Sequence, residues 1–281
     1  MSTSNQSGMS ALADVVLAIS LYFGVRAVLT SLDFGAWQKE LTGSAPISSV
    51  LAFFAAPLLV AALRNQHPDR FGLGLNGAGS HLLSGLRAAA FLVPATFLFP
   101  VVSRLGFSPM EWNGASILTA GFLVMGLLAI ATSRPVSPRP EAMASATGSI
   151  VYFIIIGAGL AAMASLYPVN PLAARILGAL LFVAFLEEFF FRGFLQARLN
   201  TVFGTPFQFR GVQFGLGLFV AAILFGLFHP ISAAGAPPWP WALWTTAFGV
   251  VMGFLRERTG SIVAPSLAHG IVILPAAFSG S

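Results

Sequence analysis

The chain has 281 residues, 57% of them hydrophobic and only 8% charged, with a mean hydropathy of +0.86. That balance lies outside the range of soluble domains and predicts a multi-span membrane protein. No cysteine occurs, which excludes a thiolate nucleophile, a cysteine metal site and disulfides, and the net charge of +5 comes from 14 basic residues scattered singly rather than gathered into a nucleic-acid-binding patch.

Residues 1–10 form a short polar tail, MSTSNQSGMS, without the Lys or Arg that opens a secretory signal peptide, so the first apolar run is read as a retained span. Crossing roughly 30 Å of hydrocarbon takes about 20 apolar residues. Runs of that order lie at 11–31, 46–63, 84–104, 115–133, 147–167, 171–199, 211–229, 240–257 and 261–278. The expectation is an all-α, polytopic membrane helical bundle of eight or nine transmembrane helices, with nine preferred. Residues 11–170 hold the N-terminal helices and 171–278 the last four. The run 171–199 is too long for a perpendicular span, so it tilts or extends into the interface.

Between spans, turn chemistry appears at Asn65 to Pro68, Ser133 to Pro140 and Gly235 to Pro240. With nine spans and the N-terminus inside, ten arginines (64, 70, 87, 134, 139, 192, 198, 210, 256 and 258) fall on the inner side, against Arg26, Lys39, Arg104 and Arg175 outside. The positive-inside rule then favours a cytoplasmic N-terminus and an outward C-terminus, and the compact chain suggests a bacterial cytoplasmic membrane. Trp239, Trp241 and Trp244 read as an interfacial aromatic belt, and Gly249 with Gly253 as a helix-packing seam.

The hardest feature to explain without function is the pair Glu187-Glu188 inside an apolar helix. A charge in hydrocarbon costs at least about 2.5–3.5 kcal/mol, so an intramembrane carboxylate needs a partner and a purpose. Arg192 is four residues from Glu188, on the same helix face, and can pair with it; Glu187 points about 100° away. His229 lies on the next span and His269 on the last, two of only four histidines in the chain.

A carboxylate facing a histidine in a partly dry cavity is a general-base arrangement, with Phe225, four residues before His229, as a wall against bulk water. His269 could hydrogen-bond a developing oxyanion. Equally, Glu187, His229 and His269 are a plausible ligand set for zinc. Three blander or competing readings stand beside these: a Glu–Arg topology anchor, histidines that merely pack, and the proton relay of a transporter.

The spacing resembles the CPBP family of intramembrane endopeptidases, also called the CAAX protease and bacteriocin-processing or Abi family, which includes the Ras-converting CAAX endopeptidases. Its EExxxR motif matches Glu187-Glu188-Phe-Phe-Phe-Arg192, followed by Gly193, and its FxxxH motif matches Phe225-Gly-Leu-Phe-His229. The stretch from Gly253 through Thr259, Gly260 and Pro265 to His269 looks like its final segment. The resemblance covers about 171–278; the earlier residues match only as generic spans.

It implies hydrolysis of a peptide bond in a membrane-associated protein or peptide. Glu187 would activate water, His229 would assist, Glu188 and Arg192 would organise the site, and His269 would help bind the oxyanion or a metal. The family's last motif is often HxxxN, and here Ile273 stands at the Asn position. Both metal-dependent and metal-free glutamic schemes fit the resemblance; no HExxH helix is present, and the metal-free scheme, requiring no cofactor, is preferred over zinc. The partners expected are that substrate and the lipid bilayer, with no nucleic acid, and nothing in the sequence points to a particular oligomeric state. A catalytically weak scaffold of the same fold is the alternative, and a proton-coupled transporter the third reading.

One geometric demand follows. Glu187 sits late in a span running inward and His229 late in one running outward, so they meet only if the helix carrying Glu187 continues inward through Arg198. Glu187, His229 and His269 must then converge on one cavity.

Overall fold

The computed structural model describes residues 3–133, 146–232 and 236–279. Among them are ten helices and one small hairpin. The helices are α1 (Thr3–Ser31), α2 (Phe34–Thr42), α3 (Pro46–Leu63), α4 (Ala78–Arg104), α5 (Trp112–Thr132), α6 (Ala146–Leu166), α7 (171–203), α8 (Leu216–Ser232), α9 (Trp241–Thr259) and α10 (Val263–Ser279). This is an all-α membrane bundle. Nine of the helices coincide with the nine apolar runs, and the short α2 lies between the first two. Stretches of α1, α3, α4 and α5 are long and apolar enough to cross a membrane, while α6, α8 and α10 contain shorter apolar helices.

Two local departures from the sequence reading have simple causes. Helix α1 already begins at Thr3, ahead of the apolar run. Residues 211–214 are not helical: Arg210 and Gly211, at φ of 54° and 78°, make a tight turn that pairs β1 (Phe207–Phe209) with β2 (Val212–Phe214), so α8 starts only at Leu216. Positive φ at both central residues suits the right-handed twist of a hairpin. The turn expected after Leu63 is present, with Asn65 at φ 51°. Residues 134–145 and 233–235, with Arg134, Arg139 and parts of two expected turns, lie outside the described residues.

Helix α7 is central, packed by α1, α3, α8, α9 and α10. Its aromatic run explains why. Phe189, Phe190, Phe191 and Phe194 are all buried, and their rings meet those of several neighbours: Phe189 with Phe54 of α3 at 4.8 Å, Phe190 with Tyr22 of α1 at 5.6 Å, Phe191 with Phe225 of α8 at 5.1 Å. Lipid tails are as apolar as these rings, so close packing rather than water exclusion holds such helices together. Aromatic pairs at these distances contribute about 0.5–1.5 kcal/mol each beyond area.

Polar contacts tie helix ends on one side of the bundle. Buried Asp14 of α1 pairs with Arg64, just past α3, at 2.8 Å and with Arg198, near the end of α7, at 2.7 Å. Arg258 at the end of α9 donates to Ser133, just past α5, at 3.1 Å, and the Ile262 amide before α10 donates to the Gly72 carbonyl at 3.1 Å. The ends of α3 and α7 therefore share one face, which requires an even number of traverses between them, as α4 to α7 provide.

Candidate active site

Helix α7 runs unbroken past Arg198 to Phe203, which sets the glutamates near its middle. The three residues Leu186–Glu188 lie between two π-helical stretches, Gly178–Phe185 and Phe189–Leu195. Such wide turns are rare and occur frequently at functional sites. The side chain of Glu188 is fully buried, whereas that of Glu187 keeps 17% exposure.

The two carboxylates have different surroundings. Glu188 Oε1 accepts from His269 Nδ1 at 2.9 Å and lies 3.2 Å from Arg192 Nη1. The Arg192 contact is an ion pair without the alignment of a hydrogen bond. Its guanidinium carbon also stands over Phe225, 4.1 Å from the ring centroid, a cation–π contact in a fully desolvated setting. Glu187 Oε2 stands 4.0 Å from His269 Nε2, too far for a hydrogen bond and close enough for strong electrostatic coupling. His269 thus sits between the glutamates, one ring nitrogen toward each.

His229 is positioned by its own helix. Its Nδ1 is 2.8 Å from the Phe225 carbonyl. A carbonyl oxygen only accepts, so Nδ1 carries the proton and Nε2 of the neutral ring keeps its lone pair. The ring packs edge-on to Phe225 at 4.6 Å and to Trp241 at 5.2 Å. Phe225 also meets His269, at 5.9 Å, so this phenyl ring touches Arg192 and both histidines.

Glu187 and His229 line a common cavity of about 270 Å³ with Tyr22, Arg26, Ser49, Phe53, Phe191, Phe228 and Trp241. His269 lies behind its wall rather than among the lining side chains. The division expected from helix spacing, in which Glu188 has Arg192 and Glu187 has His229, is therefore incomplete: both carboxylates share His269. Ile273 is half-buried one turn beyond His269.

Both histidines have Nδ1 engaged, His229 with a carbonyl and His269 with Glu188, an arrangement that leaves each Nε2 for a ligand and is compatible with zinc as well as with a metal-free site. Among the described residues no three His, Asp or Glu side chains are gathered as a metal-holding group.

Several contributing residues escape a motif search. Trp241 lines the cavity; Trp244 packs against Phe99 and Phe122, and of these three only Trp239 is exposed. Gln196, one turn after Arg192, is fully buried; it donates to the Gly253 carbonyl at 3.1 Å and to Glu257 at 2.5 Å. Its place on the face of Glu188 and Arg192 was the available signal. A Cβ on Gly249 would lie 3.0 Å from Arg192 Nη2, and one on Gly253 2.9 Å from Gln196 Oε1. The packing seam of α9 is thus where α7 seats its buried polar side chains. Asp14 was legible as an intramembrane charge needing partners.

Residues 168–274 match the family model described as Rce1-like, type II CAAX prenyl endopeptidase Rce1-like. The matched segment contains Glu187, Glu188, Arg192, Phe225, His229 and His269, and it bears out the resemblance to the CAAX protease family. No curated protein and no solved structure matches the chain. Together with the apolar helices, the match supports an integral membrane endopeptidase of the CAAX-protease type, a class that acts on membrane-associated proteins.

Proposed function

We propose that the protein hydrolyses a peptide bond of a membrane-associated protein or peptide by a metal-free glutamic mechanism. Glu187 takes a proton from water, whose oxygen adds to the peptide carbonyl. The proton passes to the departing amine as the C–N bond breaks, leaving a carboxylic acid and an amine. His229 orients the attacking water by accepting its O–H at Nε2. His269, Glu188 and Arg192 act as positioning residues, holding Glu187 in place from behind the cavity wall.

The observation that carries this reading is that Glu187 and His229, on different helices, line one cavity walled by aromatic rings. A carboxylate with limited water access beside an imidazole with a free lone pair is suited to general-base chemistry. The second reading, a catalytically weak scaffold, is favoured by Ile273, an apolar side chain where the family often has an amide donor. Such a donor can be worth several kcal/mol, about 2.7–4 when one is removed from an oxyanion hole.

Purified protein incubated with a panel of membrane-anchored peptides decides between them. Cleavage lost in Glu187→Ala and His229→Ala and insensitive to chelator supports the proposal. Equal cleavage by native and variant proteins refutes the assignment, and chelator inhibition reversed by zinc refutes the metal-free scheme. The arginine distribution further supports a cytoplasmic N-terminus.

A further inference from the structure

The motif helices supply the carboxylates and histidines, yet part of the cavity wall comes from α1 and α3, outside the family match. From these helices Tyr22, Arg26, Ser49 and Phe53 reach the space occupied by Glu187 and His229. Arg26, Ser49 and Phe53 also line a second hollow of about 440 Å³ formed with α2, where Asp33 and Lys39 stand. The two hollows adjoin across these three shared side chains, the one aromatic at the Glu187 end and the other charged, and are treated together as a groove.

Arg26 stands at the junction, exposed, its Nη1 donating to the Tyr22 hydroxyl at 2.8 Å and its guanidinium 5.6 Å from that ring's centroid. Tyr22 is itself fully buried, so it anchors one side of the fork. Among the described residues neither Arg26 nor Lys39 forms an ion pair within 4.0 Å, although Asp33 lines the same hollow. Elsewhere the chain pairs its buried arginines closely, as at Arg192 and Arg198. A guanidinium held by a neutral hydroxyl, with its remaining donors turned to a groove, is a receptor for an anion and fits a carboxylate by its forked geometry.

We infer that Arg26 reads a carboxylate of the substrate peptide, so that the groove formed by α1, α2 and α3 selects peptides with a negative charge a short distance from the bond facing Glu187. This rests on the proposed hydrolysis for its setting but not for its test.

The experiment measures binding of matched fluorescent peptides, with a free C-terminal carboxylate or a C-terminal amide, and with internal Asp or Asn. Binding is read on Glu187→Ala protein in nanodiscs of zwitterionic lipid, so that turnover does not intrude. The expected result is a roughly three- to tenfold preference for one of the acidic peptides, the range of a partly solvated charge-assisted pair. Adding Arg26→Ala should bring that ratio close to one, and Arg26→Lys should keep part of it. In the otherwise native protein the same ratio should appear in KM rather than kcat.

Equal binding of acid and neutral peptides overturns the inference. So does a preference untouched by Arg26→Ala. Stabilisation by added anionic lipid that depends on Arg26, without discrimination between peptides, assigns the site to a lipid headgroup and likewise overturns it. An Arg26-dependent acid preference in a protein that cleaves nothing upholds the inference while removing the hydrolysis reading.

Discussion

Neutralising the adjacent glutamates one at a time should give opposite phenotypes, although Glu→Gln leaves volume and shape almost unchanged. Glu188 is fully buried and lies 3.2 Å from the fully buried Arg192 and 2.9 Å from His269 Nδ1. In Glu188→Gln the guanidinium keeps its charge in a desolvated site and loses its counter-ion. Removing one partner of a buried pair costs about 3–5 kcal/mol, and the contact of Arg192 with Phe225 is already present in the native protein, so it offsets none of that. The expectation is a loss of about 3–5 kcal/mol. Glu187 has no ion pair closer than 4.0 Å and faces the cavity. Glu187→Gln should therefore not lower stability, because it removes the charge of a carboxylate whose buried Oε2 has no hydrogen-bond partner. It should lower kcat by about 10²–10⁴, the contribution of a positioned general base. Denaturation midpoints in detergent, read beside cleavage rates for the same preparations, measure both. A Glu187→Gln protein as unstable as Glu188→Gln, or a Glu188→Gln protein with native stability, would refute the division of roles.

Asp14→Asn leaves Arg64 and Arg198 without their carboxylate; because Arg64 is 43% exposed and Arg198 13%, the cost should be about 2–3 kcal/mol, below that of a fully buried pair. Asp14→Asn combined with Arg198→Met should recover part of the lost denaturation midpoint. Gly249→Val places its Cβ 3.0 Å from Arg192 Nη2 and 3.2 Å from Ala222, and overpacking of this kind costs about 1–3 kcal/mol. Cleavage should fall with it, and unchanged unfolding would show that the seam is looser than these distances. The cysteine-free chain also allows single-cysteine labelling. Arg26 lies twelve positions along α1 from Asp14, about 18 Å at the helical rise, so the groove and the Asp14 cluster belong to opposite halves of the bundle. With a cytoplasmic N-terminus, Ser49→Cys should react with an impermeant maleimide in intact cells, and Gly74→Cys only after permeabilisation. The reverse pattern would invert the bundle.

Much of the architecture was legible because it depends on one-dimensional properties. Run length against bilayer thickness predicts the helices, and nine helices stand where the nine runs lie. Helical periodicity placed Arg192 one turn from Glu188 and Phe225 one turn from His229, and both pairs are in contact. The hairpin at 207–214 was missed because its signal, the dipeptide Arg210-Gly211, adjoins an apolar run that masks it.

By itself, then, the sequence determined what each helix carries and what shares a face with what, since those follow from a rise and a rotation per residue. Tertiary structure alone decided how far each helix is turned toward its neighbours and at what depth they meet. It set His269 between both carboxylates instead of in the cavity, placed Trp241 in the wall beside His229, and brought Arg26 from the first helix to the mouth. The physical reason is that these placements arise from close packing of side chains on different helices, such as the rings around α7 and the glycine seam of α9, and no period along one chain encodes a distance between two.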